Sequence, residues 1–199
     1  MISKKFILED LKKNLTEERF LHTLGVMETA VTLAQRYGVD EEKAELAAMV
    51  HDCAKDIPVA EQLNLVREFG ILLDEISRLE KALIHAPLGA VLARKRYGIE
   101  DPGILRAVCV HTTGDENMTT LDKVVFLADY IEPGRNFPGV EKLRKVALED
   151  LDEAVIMACN STIKYVLEQG KLLHPRMVQA RNSLLLEKLK RGEVNGKSN

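Results

Sequence analysis

Five histidines and two acids supply the chemistry this chain could do. The histidines are His22, His51, His85, His111 and His174. His51 is followed at once by Asp52, and Asp129 stands in the largely apolar stretch LDKVVFLADYIEP. A carboxylate in such a stretch needs a partner, because burying an unpaired charge is costly; a metal ion is one such partner. Imidazole nitrogen and carboxylate oxygen together suit Fe, Mn, Co, Zn or a similar divalent ion. One helix rarely supplies enough ligands, whereas a bundle brings them from several facing helices. Basic residues stand at matching spacings. Arg19 precedes His22 by three residues, and Lys55 follows Asp52 by three, on the same face if the helix persists. Arg135 comes just after the Asp129 helix and Arg176 lies in the word HPRM at 174–177. Arginine's planar fork binds phosphate oxygens in pairs, and the Thr112-Thr113-Gly114 turn offers hydroxyl and N–H donors. This set fits phosphoanhydride hydrolysis, in which a metal acidifies a water and polarises a phosphoryl oxygen.

Each residue also has a plain structural reading. Asp129 could pair with Lys123 or Arg135, Arg19 with Glu17 or Glu18, and Lys55 could answer a helix dipole. His174 could be a helix-start histidine without further role. Lys142, Arg144, Lys145, Lys188, Lys190 and Arg191 read as solvated faces, and the Met and Leu stripes of 155–167 and 184–189 as core or subunit contacts. The joint pattern favours metal binding over any of these taken singly.

The elements that must position these residues are helical. Phe20, Leu24, Met27, Val31 and Ala34 recur at three- and four-residue steps, one face of a helix over 16–37. Thr16 is its expected N-cap and Gly38 its stop. Asp40 is expected to cap a helix that runs to His51, and Asp56, with Pro58, to open another that ends at Phe69. Further helices are expected over 74–83, 87–97, 101–112, 120–131, 140–148, 151–169 and 175–191, with Asp101-Pro102 and Thr120 as start signals. Period-two alternation is almost absent. The expected fold class is all-α.

A length of 199 residues with 46% hydrophobic content favours one domain, or one with a helical extension. The net charge of -3 and a pI near 6.0 suggest neither a nucleic-acid coat nor a membrane-surface protein. No signal peptide or transmembrane run is expected. Cys53, Cys109 and Cys159 form no CxxC and are odd in number, which indicates neither a disulfide framework nor a thiolate zinc site. A reduced, cytoplasmic protein is expected.

The order H…HD…H…H…D resembles the HD superfamily of metal-dependent phosphohydrolases. The words HTLGV at 22–26, HDCAKD at 51–56, HAPLGA at 85–90, HTTG at 111–114 and ADYIEPGR at 128–135 are similar to its YqeK-type branch, whose members hydrolyse diadenosine tetraphosphate symmetrically to two ADP. The resemblance runs from about residue 15 to 181. It implies an HD-domain multi-helix bundle: an N-terminal helix in 1–14, the hydrolase core in 15–135, helices in 136–191 completing the domain and the substrate site, and a frayed tail in 192–199. It makes His22, His51, Asp52 and Asp129 ligands of an iron-type ion, with Asp52 bridging if there are two. His85 and His111 would hold a second metal or bind phosphate. Asp52, Lys55, His85 and His111 would act in catalysis. Arg19, His22, Asp52, Lys55, His85, His111, Thr112, Asp129, Arg135, His174, Pro175 and Arg176 would face a dinucleoside polyphosphate or ADP. A homodimer through 151–169 is an open expectation. The rivals are another HD phosphohydrolase activity and a non-catalytic nucleotide-sensing module.

Overall fold

In a computed structural model, which describes residues 3–192, polar caps and apolar spacing produce helices and, among the described residues, no strand. The helices are α1 (Lys4–Asn14), α2 (Glu17–Tyr37), α3 (Glu41–Val50), α4 (Val59–Glu68), α5 (Glu75–Leu79), α6 (His85–Tyr97), α7 (Pro102–Val110), α8 (Thr120–Ile131), α9 (Val140–Glu149), α10 (Leu151–Glu168) and α11 (Pro175–Lys190), with a 3-10 turn at Lys81–Leu83 before α6. The part of the expected tail in 193–199 lies outside the described residues.

Most starts follow the expected caps. Thr16 Oγ1 accepts the Arg19 N–H, Asp40 accepts that of Lys43, and Asp101 accepts those of Gly103 and Ile104 ahead of Pro102. Gly38 closes α2 in the left-handed region at φ 67°, where a side chain would be strained. Three boundaries depart from expectation. The cap of α8 is Thr119 rather than Thr120, because Asp122 three residues on completes a capping box with it. The 74–83 segment breaks into α5 and the 3-10 turn, and α6 begins at His85. Asp56 caps nothing in α4, whose N-cap is Pro58. Its Oδ2 accepts instead from the Thr16 N–H at 2.7 Å and the Thr16 hydroxyl at 2.9 Å, tying the 51–57 turn to the start of α2.

α3 is the hub. Ala44, Leu46, Ala47, Ala48, Met49 and Val50 are all buried, whereas Glu41, Glu42 and Lys43 of the first turn are exposed, so the C-terminal half, apolar all round, is the enclosed part. It packs on α2, α7 and α8, and α2 packs on α8. Alanines on α3 let these neighbours approach closely, so the chain just beyond its end is boxed in by three helices. A smaller cluster of Ala54, Val66, Leu73, Ile84 and Leu88 fills the space between the 51–57 turn, α4 and α6.

α10 packs on both α9 and α11, and α9 and α10 pack on α8. Two of their basic residues do not belong to solvated faces. Lys188 is 6% exposed and its Nζ donates to Asp150 at 2.7 Å and Glu153 at 3.0 Å. Arg144 donates to the carbonyls of Ile131 (2.9 Å), Glu132 (2.7 Å) and Arg135 (2.9 Å), clamping the turn after α8. Neither pairing leaves a local mark, because the partners are distant acids or main-chain oxygens. No helix among the described residues is long and apolar enough to cross a membrane.

Candidate metal centre

The ends of helices bring the site together. His51 is the residue on which α3 ends, His111 the one on which α7 ends, and His85 the first of α6. In each ring Nδ1 faces a carbonyl three residues back: Ala48 at 2.6 Å, Val108 at 2.7 Å and Ala82 at 2.8 Å. An Nδ1–H donated there fixes the tautomer and leaves the Nε2 lone pair pointing inward. The fourth ring, His22 on α2, has Nδ1 3.1 Å from Glu132 Oε1.

The inward nitrogens meet two carboxylates. His22 Nε2 lies 3.0 Å from Asp129 Oδ1 and 3.3 Å from His51 Nε2, and His51 Nε2 lies 3.6 Å from Asp52 Oδ2. On the other oxygen of the same carboxylate, Asp52 Oδ1 lies 3.1 Å from His85 Nε2 and 3.5 Å from His111 Nε2. Asp52 thus faces His22 and His51 with one oxygen and His85 and His111 with the other. His22, His51 and Asp129 bring their donor atoms within 4.8 Å of one another, as do His51, Asp52 and His111. His51 and Asp52 are 0% and 3% exposed, so the charge they hold is shielded from water.

Electrostatics favours a cation here. Burial pushes His51 down to about 4 and keeps its ring a neutral donor near neutral pH. Burial would raise the Asp52 carboxyl, but His51, His111 and His85 outweigh it and hold it well below the usual carboxylate range. Asp129 is held low in the same way, burial being overcome by the His22 hydrogen bond and by His51 and His111. Imidazole nitrogens converging with ionised carboxylates are the donor set of a divalent ion, so the residues present fit one.

Three cations surround the cluster. Arg19 donates to Asp52 Oδ2 at 2.8 Å, not to Glu17 or Glu18, and its buried Nε–H has no acceptor within the protein. Arg135 donates to Asp129 Oδ1 at 2.6 Å; Lys123 is committed elsewhere, to Asp152 at 2.8 Å. Lys55 Nζ sits 3.3 Å from His85 Nδ1, and burial, opposed by Asp52, lowers its pKa. The helix does not persist from Asp52 to Lys55. A turn closed by the Lys55 N–H on the Asp52 carbonyl (2.9 Å) brings the two side chains round instead.

The remaining residues expected at the substrate form a separate group. Thr112, His174 and Arg176 line a cavity of about 100 Å³ with Asp74, Ser77 and Cys109. His174 Nε2 is 3.0 Å from Asp74 Oδ2 and its Nδ1 accepts the Arg176 N–H, with Pro175 opening α11. Among the described residues, none of these four shares a hydrogen bond or ion pair with the His–Asp cluster.

Sequence reasoning passed over Glu132. It is 5% exposed, meets His22 Nδ1 through Oε1 and accepts the Gly134 N–H through Oε2 at 2.5 Å. Gly25 explains a signal that was legible. A glycine inside a helix costs about 1 kcal/mol relative to alanine, and a Cβ at Gly25 would stand 2.7 Å from Glu132 Oε2. The glycine of HTLG makes room for the acid that orients the histidine of HTLG.

The HD domain family matches residues 19–134, and the chain belongs to it. Its relatives narrow the branch. The chain is 47% identical over 180 residues to a protein of Halalkalibacterium halodurans named "Bis(5'-nucleosyl)-tetraphosphatase, symmetrical", covering 90% of this chain and 96% of that one. It is 41% identical over 177 residues to the Bacillus subtilis protein of the same name, covering 87% and 93%. The crystal structure of a "predicted HD superfamily hydrolase involved in NAD metabolism" from Clostridium acetobutylicum superposes with a TM-score of 0.92 at 45% identity, over 94% of this chain and 100% of that one.

Proposed function

We propose that the protein is a metal-dependent hydrolase that cuts diadenosine tetraphosphate between its two central phosphates, giving two ADP. The observation that carries this reading is the Asp52 carboxylate, shared between two pairs of histidines, with Arg19 on it and Lys55 and Arg135 on the neighbouring His85 and Asp129, in a chain whose relatives bear the name of that activity. His22, His51, Asp52 and Asp129 would hold the ion, iron first among Fe, Mn, Co and Zn, and His85 and His111 a second ion or a phosphate. When bound, the ion supplies Lewis-acid polarisation of a phosphoryl oxygen and a more acidic water.

The chain's own residues do the rest. Arg19, anchored on Asp52, keeps its Nε–H for a phosphate oxygen. Arg135 presents a planar fork beside Asp129, and Lys55 a point charge beside His85. Together they neutralise a polyphosphate along its length and hold it in register. Thr112, His174, Pro175 and Arg176, around the smaller cavity, would receive a more distant part of the substrate. The leaving group is ADP, a tolerable anion, so no strong acid has to protonate it. The three unpaired cysteines support a reducing, cytoplasmic setting.

The test is a product assay. Metal-loaded protein incubated with diadenosine tetraphosphate is expected to yield ADP as the sole nucleotide. AMP together with ATP would refute the symmetric cut, and turnover of mono- or triphosphates alone would transfer the protein to another HD phosphohydrolase activity.

A further inference from the structure

Cations hold a polyphosphate but do not distinguish a nucleotide from an inorganic chain. That takes a surface for the base. Of the five phenylalanines and four tyrosines in the chain, Tyr130, Phe137 and Tyr165 line one cavity of about 530 Å³, and Arg135 lines it with them. Arg135 also lines the adjoining cavity of about 480 Å³ beside Arg19, His22 and Glu132, and its terminal nitrogen is 2.6 Å from Asp129 Oδ1. One guanidinium therefore borders both the His–Asp cluster and the aromatic cavity.

The aromatic rings are braced. Tyr130 stacks on Phe126 at 6.5 Å between centroids with planes 8° apart, and meets Phe137 edge-on at 5.2 Å. Tyr165, on α10, is 56% exposed, too open for a core residue. Ser161 and Glu168 add a hydroxyl and a carboxylate at the lining.

We propose that this cavity is the nucleobase subsite of the hydrolase: the base of one half of a nucleoside polyphosphate stacks on Tyr165 and the Tyr130–Phe137 pair while Arg135 takes its phosphates. The volume is within the range of small-molecule pockets, roughly 300–1,000 Å³. Every base has a π-face, so such a surface accepts purines and pyrimidines alike. The substrate named here rests on the proposed activity; the recognition of a base does not.

Isothermal titration of the metal-loaded protein with ADP and with inorganic pyrophosphate tests it, using Tyr165→Ala and Tyr165→Phe. Losing one stacking face is expected to weaken ADP about 5- to 150-fold in Tyr165→Ala. Tyr165→Phe keeps the ring and is expected to match the native protein, and pyrophosphate binding is expected to be unchanged in both. Unaltered ADP affinity in Tyr165→Ala, a parallel loss of pyrophosphate, or no ADP binding by the native protein would each overturn the proposal. So would a drop in sedimentation coefficient on Tyr165→Ala, since the face would then lie between two copies of the chain. A native protein that leaves diadenosine tetraphosphate intact but binds ADP through Tyr165 would remove the activity and uphold the subsite.

Discussion

Replacing Glu132 by glutamine leaves side-chain volume nearly unchanged and is nevertheless expected to weaken metal binding by about 10- to 100-fold. The carboxylate serves two partners at once. Oε1 meets His22 Nδ1 at 3.1 Å while Oε2 accepts the Gly134 N–H at 2.5 Å. An amide has only one acceptor oxygen. If that oxygen stays on Gly134, the amide NH₂ faces Nδ1 and favours the tautomer with its proton on Nε2, the atom that lies 3.0 Å from Asp129 Oδ1 and 3.3 Å from His51 Nε2. If the amide turns round, two donors oppose each other at Gly134 and the turn loses a charge-assisted hydrogen bond of about 1.5–3 kcal/mol. Both arrangements reach the expected loss, which corresponds to about 1.4–2.8 kcal/mol. Competition with a chromophoric chelator measures it, and circular dichroism of the metal-free protein checks that the fold is kept. Gly25→Ala is the companion variant. Its Cβ would stand 2.7 Å from Oε2 and must push the intact carboxylate aside, so it is expected to weaken binding in the same direction. If both folded variants bind metal as the native protein does, Glu132 does not orient His22 and the reasoning fails.

Two further outcomes are expected. Asp52→Ala should abolish metal binding and turnover together, because one carboxylate faces both pairs of histidines; full activity in an iron-loaded Asp52→Ala protein would sink the metal-centred reading. With metal chelated, stability should fall as the pH drops from 6.5 to about 4. In that window unfolded His51 takes up a proton that burial denies it in the folded state until about 4. His85, lowered by burial, acts in the same sense. His111 acts oppositely: burial is outweighed there by the Asp52 hydrogen bond, so its contribution is present at low pH and lost as the pH rises past its folded value. Denaturant midpoints in EDTA at several pH values measure the sum, and a rise in stability between pH 6.5 and 4 would contradict a buried neutral His51.

The His–Asp cluster was the most legible part of the sequence because its residues are scarce and their combination is unusual. Histidines are few in this chain, and the joint pattern of His51-Asp52 with Asp129 outweighs the separate structural readings, although Arg135 does pair with Asp129. The helices were legible because spacing and capping are local: Thr16, Asp40 and Asp101 act within three residues of themselves. What escaped depends on partners far along the chain. Asp56 looks like a cap until Thr16, 40 residues earlier, takes its oxygen. Arg144 and Lys188 look like solvent-facing bases until main-chain carbonyls and two acids claim them. Glu132 is one common acid among many, and only a helical glycine 107 positions away would have hinted at it. His174 was singled out by its word alone; the structure shows it bonded to Asp74 in the wall of a small cavity.

Arg144 touches neither the histidines nor either aspartate, yet Glu132 and Arg135 both hang from the carbonyls it grips. Glu132 meets the Nδ1 of one ring, and Arg135 borders both the His–Asp cluster and the aromatic cavity. The single guanidinium therefore works as a hinge pin between α9 and the chemistry. Any tilt of α9 would reach the acid that faces His22 and the guanidinium that pairs with Asp129 together, in step. A helix that carries no ligand can in this way act as a tuning arm for the site.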